Sequence, residues 1–247
     1  MKKSTLSLIS LLFSYNAIAS EQNNTIGISG SWSQSPYIGQ SNQFTPMPLI
    51  DYDSEHFFIS GLSGGIHLWN NETQQLDISM QYQDIELDPS DNDDVRMKQL
   101  NHRRTTLLAG LSYAITTPYG QISAEALTDV LNNSNTVSIE LEYAAYFALT
   151  DKLAIIPQVG VTWYNRSHNR YYYGINENQS LASGFEQYRP SSGLVPYAVL
   201  TTSYRFNKSW SAVVEYELDW LDSEVKSSPI VNRSNMSTLT AGILFHF

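Results

Sequence analysis

Residues 210–220 read WSAVVEYELDW, and their alternation decides the fold class. Every second residue is apolar (Trp210, Ala212, Val214, Tyr216, Leu218, Trp220), with Ser211, Val213, Glu215, Glu217 and Asp219 between them. A period of two puts the sets on opposite faces of an extended strand, and the tryptophan at each end marks a boundary. Residues 137–149 repeat the pattern, with Val137, Ile139, Leu141, Tyr143, Ala145, Phe147 and Leu149 on one face and Glu140 and Glu142 on the other. A face with two carboxylates cannot be pressed into an apolar layer, which excludes a sheet sandwiched on both sides. The same alternation, with less contrast, runs through 76–82, 107–115 and 153–163.

Working outward from these stretches, the sequence predicts ten strands near 24–34, 56–69, 75–87, 103–116, 120–131, 136–149, 153–166, 194–206, 210–221 and 237–247. With both termini on one side, the connections 70–74, 117–119, 150–152 and 207–209 all fall on that side and are short, and most of the others are long. The tight connection 132–135 is the exception. Short periplasmic turns, longer outer loops and an even strand count are the organisation of outer-membrane barrels. Strands of about eleven to fourteen residues exceed the usual five or six and match a tilted bilayer crossing. That length, the placement of the aromatics and the C-terminus weigh against a secreted β-sandwich or a soluble lipocalin-like barrel. Aromatics gather near strand ends (Trp32, Trp69, Tyr82, Trp163, Tyr164, Phe206, Trp210, Trp220), as girdles at two membrane interfaces require. Leu239, Ala241, Ile243, Phe245 and Phe247 alternate up to a terminal phenylalanine, which resembles the signal that outer-membrane assembly machinery reads. The fold expectation is an all-β, antiparallel transmembrane β-barrel of about ten strands, or twelve if residues 45–55 enter the wall.

Composition agrees. The 247 residues include no cysteine, 14 Lys+Arg and 24 Asp+Glu. Residues 1–19 have the form of a secretory signal peptide, with Lys2 and Lys3 ahead of the apolar run Leu6 to Phe13 and Ala17-Ile18-Ala19 at the cleavage positions. Residues 20–247 are then the barrel domain, with 12 basic against 24 acidic residues and a net charge of −12. Such a chain is unsuited to nucleic acid, which needs clustered cations. Beyond the signal no apolar run reaches the roughly 18 residues of a spanning helix, so a membrane crossing must be made by a closed barrel.

No catalytic, cofactor or metal motif stands out. Gly61-Leu62-Ser63-Gly64 misses the spacing of a nucleophile elbow and reads as close backbone packing in a glycine-rich strand. His56, His67, His102, His168 and His246 lack ligand spacing. Asp88, Asp91, Asp93 and Asp94, with His102 nearby, raise a cation site or a protease carboxylate pair, but lack the glycine and distal glutamate of a calcium loop and read as a solvated acidic loop. Glu125, Asp129, Glu140, Glu142, Glu215, Glu217 and Asp219 face the lumen if the apolar set faces lipid. There they either select cations in a pore or pair with Arg205, Arg104 and tyrosines to fill a narrow barrel, and the filled reading is preferred.

The segments Tyr171-Tyr172-Tyr173-Gly174-Ile175, Leu181-Ala182, Tyr188-Arg189-Pro190 and Gly193, then Ser228-Pro229-Ile230-Val231 and the closing strand Thr238 to Phe247, resemble the MipA/OmpV family of outer-membrane proteins. Pro48 to Tyr52 and Phe57-Phe58 are similar to its first-loop pattern, so the resemblance runs from about residue 48 to the end. The resemblance implies an outer-membrane barrel without catalytic residues. For the family's type member it implies a scaffold joining a peptidoglycan lytic transglycosylase to a penicillin-binding protein, and for others a surface antigen or adhesin. The expected role is that of a non-catalytic scaffold, with a surface adhesin, a narrow cation-preferring channel and an outer-membrane hydrolase as alternatives. Expected partners are outer-membrane lipid and lipopolysaccharide, a murein hydrolase and a penicillin-binding protein. A periplasmic partner reaches only the inner rim and the segment Ser20 to Thr25, where Asn70, Asn71, Tyr119, Lys152 and Lys208 are the first candidates. The loop Ser167 to Gly193 is too aromatic for a solvated linker and is expected to fold inward over the barrel mouth, with Gly174 relieving the backbone where its tyrosines pack.

Overall fold

Residues 24–247 are described by the computed structural model, and the predicted signal peptide lies outside them, as do residues 20–23 of the rim segment. Thirteen strands form: β1 (Thr25–Ser33), β2 (Gln43–Asp53), β3 (Phe57–Ser60), β4 (Ser63–Asn70), β5 (Gln74–Gln83), β6 (Thr106–Thr117), β7 (Gly120–Asp129), β8 (Val137–Ala144), β9 (Phe147–Ala148), β10 (Leu153–Tyr164), β11 (Gly193–Arg205), β12 (Trp210–Trp220) and β13 (Asn235–His246). All pairings are antiparallel. β13 joins β1 through nine residue pairs and β10 joins β11, so twelve strands close a ring, with the two-residue β9 outside it. β9 continues the β8 ladder on β10 in the same register. The break between them lies opposite Pro157, which accepts from the Ala145 N–H at 3.1 Å but has no N–H to return.

The count is twelve, the alternative reading, and both differences from ten lie between residues 34 and 70. The run expected as one strand over 56–69 turns at Gly61, φ +55°, and Leu62, and becomes the β3–β4 hairpin. Gly61 supplies a turn and not close packing within a strand. The second difference is β2, which forms despite Pro46 and Pro48. Gly61 N–H donates to the Ile50 carbonyl at 2.9 Å, so the even-numbered residues of β2 aim their backbone groups away from β1. β3 pairs with β2 only at Asp51, Tyr52 and Asp53. The two prolines therefore sit on an edge that forms no ladder there, where a missing donor is tolerated, and the wall above the short hairpin has a notch. Since two strands are added together, every later strand keeps its predicted direction.

Side-chain facing follows parity. Ile28 is 74% exposed and Val214 46% exposed on the outside, whereas Glu217 is 4% exposed within. The outer apolar belt with tryptophans toward its ends meets the requirements of a bilayer. Inside, Met47, Leu49, Val213 and Leu244 form an apolar patch behind the notch, joined by Leu62. The carboxylates of β5, β7, β8 and β12 occupy other parts of the lumen.

Candidate functional site

The outer end of the lumen is roofed by four loops. After β10, Asn165 caps α1 (Arg166–Tyr173) by accepting from the His168 N–H at 3.0 Å. α2 (Glu177–Ser183) begins with a capping box in which Gln179 N–H donates to Asn176 Oδ1 at 3.0 Å and Asn176 N–H to Gln179 Oε1 at 3.1 Å. It ends at Gly184 in the left-handed region, φ +76°. Ile175, between the helices, and Tyr188, after α2, exchange backbone hydrogen bonds of 2.8 and 3.0 Å. α3 (Ser223–Lys226), after β12, is capped by Asp222.

Sequence motifs far apart converge here. Tyr172, Tyr173 and Ile175 are buried with Phe185, with Tyr37 from the β1–β2 loop, with Leu87, Met97 and Leu100 from the β5–β6 loop, and with Leu221, Val225, Ile230 and Val231 from the β12–β13 loop. Ser228 Oγ donates to the Tyr173 carbonyl at 2.6 Å, Tyr188 OH to the Glu224 carbonyl at 2.8 Å, and Tyr171 OH accepts from the Arg104 N–H at 2.9 Å. Pro229 lies half-buried between Ser228 and the fully buried Ile230. A Cβ on Gly174 would collide with the Arg170 carbonyl oxygen, so the glycine serves close packing at the end of α1. The inward fold expected for this loop is what forms.

Two roof residues gave no sequence signal. Arg103 is buried and donates to the Tyr172 and Gly174 carbonyls, the orphan acceptors at the C-terminal end of α1. Burial lowers its pKa, but a guanidinium keeps its charge and the negative end of the helix dipole complements it. His168 stacks on Tyr164, the top inward residue of β10, with ring centroids 4.0 Å apart, and meets Thr136 Oγ1 at 2.9 Å. Burial pushes its pKa down to about 3, so the ring is neutral.

The acidic loop does not assemble a centre. Asp88 accepts from the Ser90 N–H at 2.9 Å to cap a short turn, Asp94 pairs with Arg96 at 2.8 Å, and His102 pairs with Glu86 at 2.7 Å. Among the described residues no group of three or more His, Asp or Glu is arranged to hold a metal ion. Asp129, expected among the lumenal acids, anchors the tight 130–136 loop by accepting from the N–H groups of Leu131, Ser134 and Asn135 at 2.7–2.9 Å. Arg104 belongs to the roof and not to the lumen.

The rim candidates stay apart. Asn70, Asn71, Tyr119, Lys152 and Lys208 are all exposed on the side of the termini but lie in four separate turns. Asn71 Oδ1 is already engaged by the N–H groups of Thr73 and Gln74 at 3.0 and 2.9 Å, and Tyr119, 85% exposed, offers its ring while its carbonyl accepts from Tyr143 OH at 2.7 Å. The strand count adds a fifth turn, 54–56, to this rim.

In the lumen, Tyr197 OH lies 3.0 Å from Glu140 Oε1 and 2.9 Å from Glu142 Oε2. Ser79 donates to Glu125 at 2.7 Å, Thr162 to Glu140 at 3.0 Å and Thr201 to Glu215 at 2.8 Å. His67 bridges Asp77 at 2.7 Å and Asp53 at 3.0 Å. The tyrosine pairing expected for a filled barrel is therefore present, serine and threonine hydroxyls add to it, and among the described residues no arginine pairs with these carboxylates.

Residues 26–247 match the family described as MltA-interacting protein MipA. The chain is 34% identical over 212 residues, 86% of its own length and 85% of the relative's, to the MltA-interacting protein of Escherichia coli (strain K12). It is 31% identical over 247 residues, 100% of its length and 99% of the relative's, to the putative outer membrane protein YiaT of the same strain. Among solved structures, the NanC porin aligns with a TM-score of 0.51 at 6% identity, over 90% of this chain and 100% of that one. An outer membrane channel from Pseudomonas putida F1 aligns at 0.50 and 10% identity, over 96% and 100%. At those identities the structures attest the barrel fold alone. The protein is an outer-membrane β-barrel, and it belongs to the MltA-interacting protein (MipA) family.

Proposed function

We propose that the protein is a non-catalytic docking platform on the inner face of the outer membrane, holding a murein lytic transglycosylase near a penicillin-binding synthase. The observation that carries this reading is the polarity of the barrel. Four loops pack a shared apolar core over the outer mouth, while the side of the termini consists of short, exposed turns open to a periplasmic partner. The 34% identity to a protein named for interacting with MltA supports it. Stable interfaces use about 20–30 residues a side, and a rim made of five short turns and a chain end supplies the low end of that range. Docking is accordingly weak and gains from simultaneous contacts, with Lys152 and Lys208 adding salt-sensitive steering. Membrane lipid meets the outer apolar belt, and lipopolysaccharide the outer loops.

The test is capture of an MltA-type transglycosylase from periplasmic extract at low salt. Lys152→Glu with Lys208→Glu should lower it. Capture that survives this swap but disappears on deletion of outer-loop residues transfers the reading to an adhesin.

A further inference from the structure

An open cleft lies in the lumen against β4 to β8 and β10, and Asp77, Glu125, Glu140 and Glu142 stand in its wall. No lysine or arginine lines it. The phenol proton of Tyr197 is shared between Glu140 and Glu142; Glu140 also accepts from Thr162, so two neutral donors serve two carboxylates and supply no positive charge. Nearby on β12, the buried Glu217 has Oε2 without a partner among the described residues. Negative charge gathered at low dielectric calls for a compensating cation.

A second observation concerns neutral groups. Gln158 is 4% exposed, lines the cleft and makes no side-chain hydrogen bond to any described residue. Ser112 Oγ, also in the lining, has none either. Buried polar groups almost always have partners, so an open carboxamide and hydroxyl facing the same space as the acids point to a ligand that hydrogen-bonds as well as neutralises.

We propose that the cleft binds a linear organic cation carrying two or more amines, entering from the periplasm. The carboxylates sit on three strands and do not come together as a ligand set, since no three His, Asp or Glu among the described residues could hold a metal ion. A hard cation needs oxygens closing to about 2.0–2.6 Å around one point, whereas ammonium groups spaced along a methylene chain suit acids spread along a wall. A neutral sugar would meet Gln158 but leave the acids unbalanced. Entry from the inner side follows from the lining, which reaches Gln75 and Gln121, the second residues of β5 and β7 at their periplasmic ends, while the roof covers the outer end of the lumen.

Calorimetric titration of spermine into the protein purified from outer membranes in detergent tests this. The expected result is saturable binding near one per chain that weakens with salt. Glu125→Gln with Glu142→Gln should weaken it at least about tenfold, roughly 1.4 kcal/mol, at unchanged heat-modifiability. Gln158→Leu, which keeps every carboxylate, should weaken it by a smaller factor and checks the site independently if the double variant fails to fold. Three results overturn the proposal: no saturable heat in the wild type, equal affinity in the folded variants, or displacement of spermine by an equal concentration of Mg²⁺.

Discussion

His168 is a base held where it cannot be charged. Its pKa falls from 6.5 to about 3 through burial against Tyr164 and the roof tyrosines. When the roof opens, the ring regains its ordinary affinity for a proton, so the open state binds more protons between those two values. Roof stability is then complete above about pH 6.5 and declines as pH falls toward 3, by close to 2 kcal/mol at about pH 5. Amide exchange of α1 should speed accordingly on acidification, and His168→Phe, which retains the stacking, should flatten that dependence. An unchanged pH profile in the variant would assign the effect elsewhere. A second test at this scale concerns facing. Val214 is outside near the middle of β12 and Glu217 is inside, so Val214→Arg should cost about 2–4 kcal/mol of membrane stability and Glu217→Gln much less. Urea unfolding from lipid vesicles reads both, and equal shifts would contradict the assignment. Facing was legible in the sequence because parity sets it. Arg103 was not, because a lone arginine in a loop leaves no period and its acceptors lie about 70 residues further along.

At the scale of elements, β13 ends the wall and carries its last rung beyond the strand, where Phe247 N–H donates to the Asn24 carbonyl at 3.1 Å. Deleting Phe247 removes that rung together with the terminal apolar side chain, and replacing it with Asp removes the side chain alone. Export should persist while the heat-modifiable form in the outer membrane falls, and normal levels would count against a C-terminal assembly signal. The strands with strong contrast, β8 and β12, could be read directly. β2 was hidden by its two prolines, which count against a strand unless one edge is known to be unpaired, and that is a tertiary fact. The β3–β4 hairpin was hidden because Phe57 to Trp69 reads as one long run whose turn rests on a single glycine. The inward fold of the 167–193 loop was legible from its aromatic density, but its packing partners in the other three loops were not. Its short helices have no long periodic face, and their stability comes from contacts with three other loops.

For the whole molecule, the roof decides whether the carboxylate-lined lumen conducts. The intact protein should show no steady conductance in planar bilayers. Replacement of residues 171–188 by a short Gly-Ser linker should open a cation-preferring pore, because the inward acids, Asp77, Glu125, Glu140, Glu142, Glu215 and Glu217 among them, would then face a continuous path. Open conductance in the unmodified protein would favour the channel reading over docking. The ring itself is uneven. Nine residue pairs hold β13 to β1, where the chain ends meet, but three hold β2 to β3. Under heat or mechanical load the tear line is thus set inside the sequence and not at the terminal seam. Pro46 and Pro48 then govern the fate of the torn edge: with donors missing at alternate positions it offers a poor template to a neighbouring chain, and a barrel that gapes there recloses on itself before it can stitch to another copy.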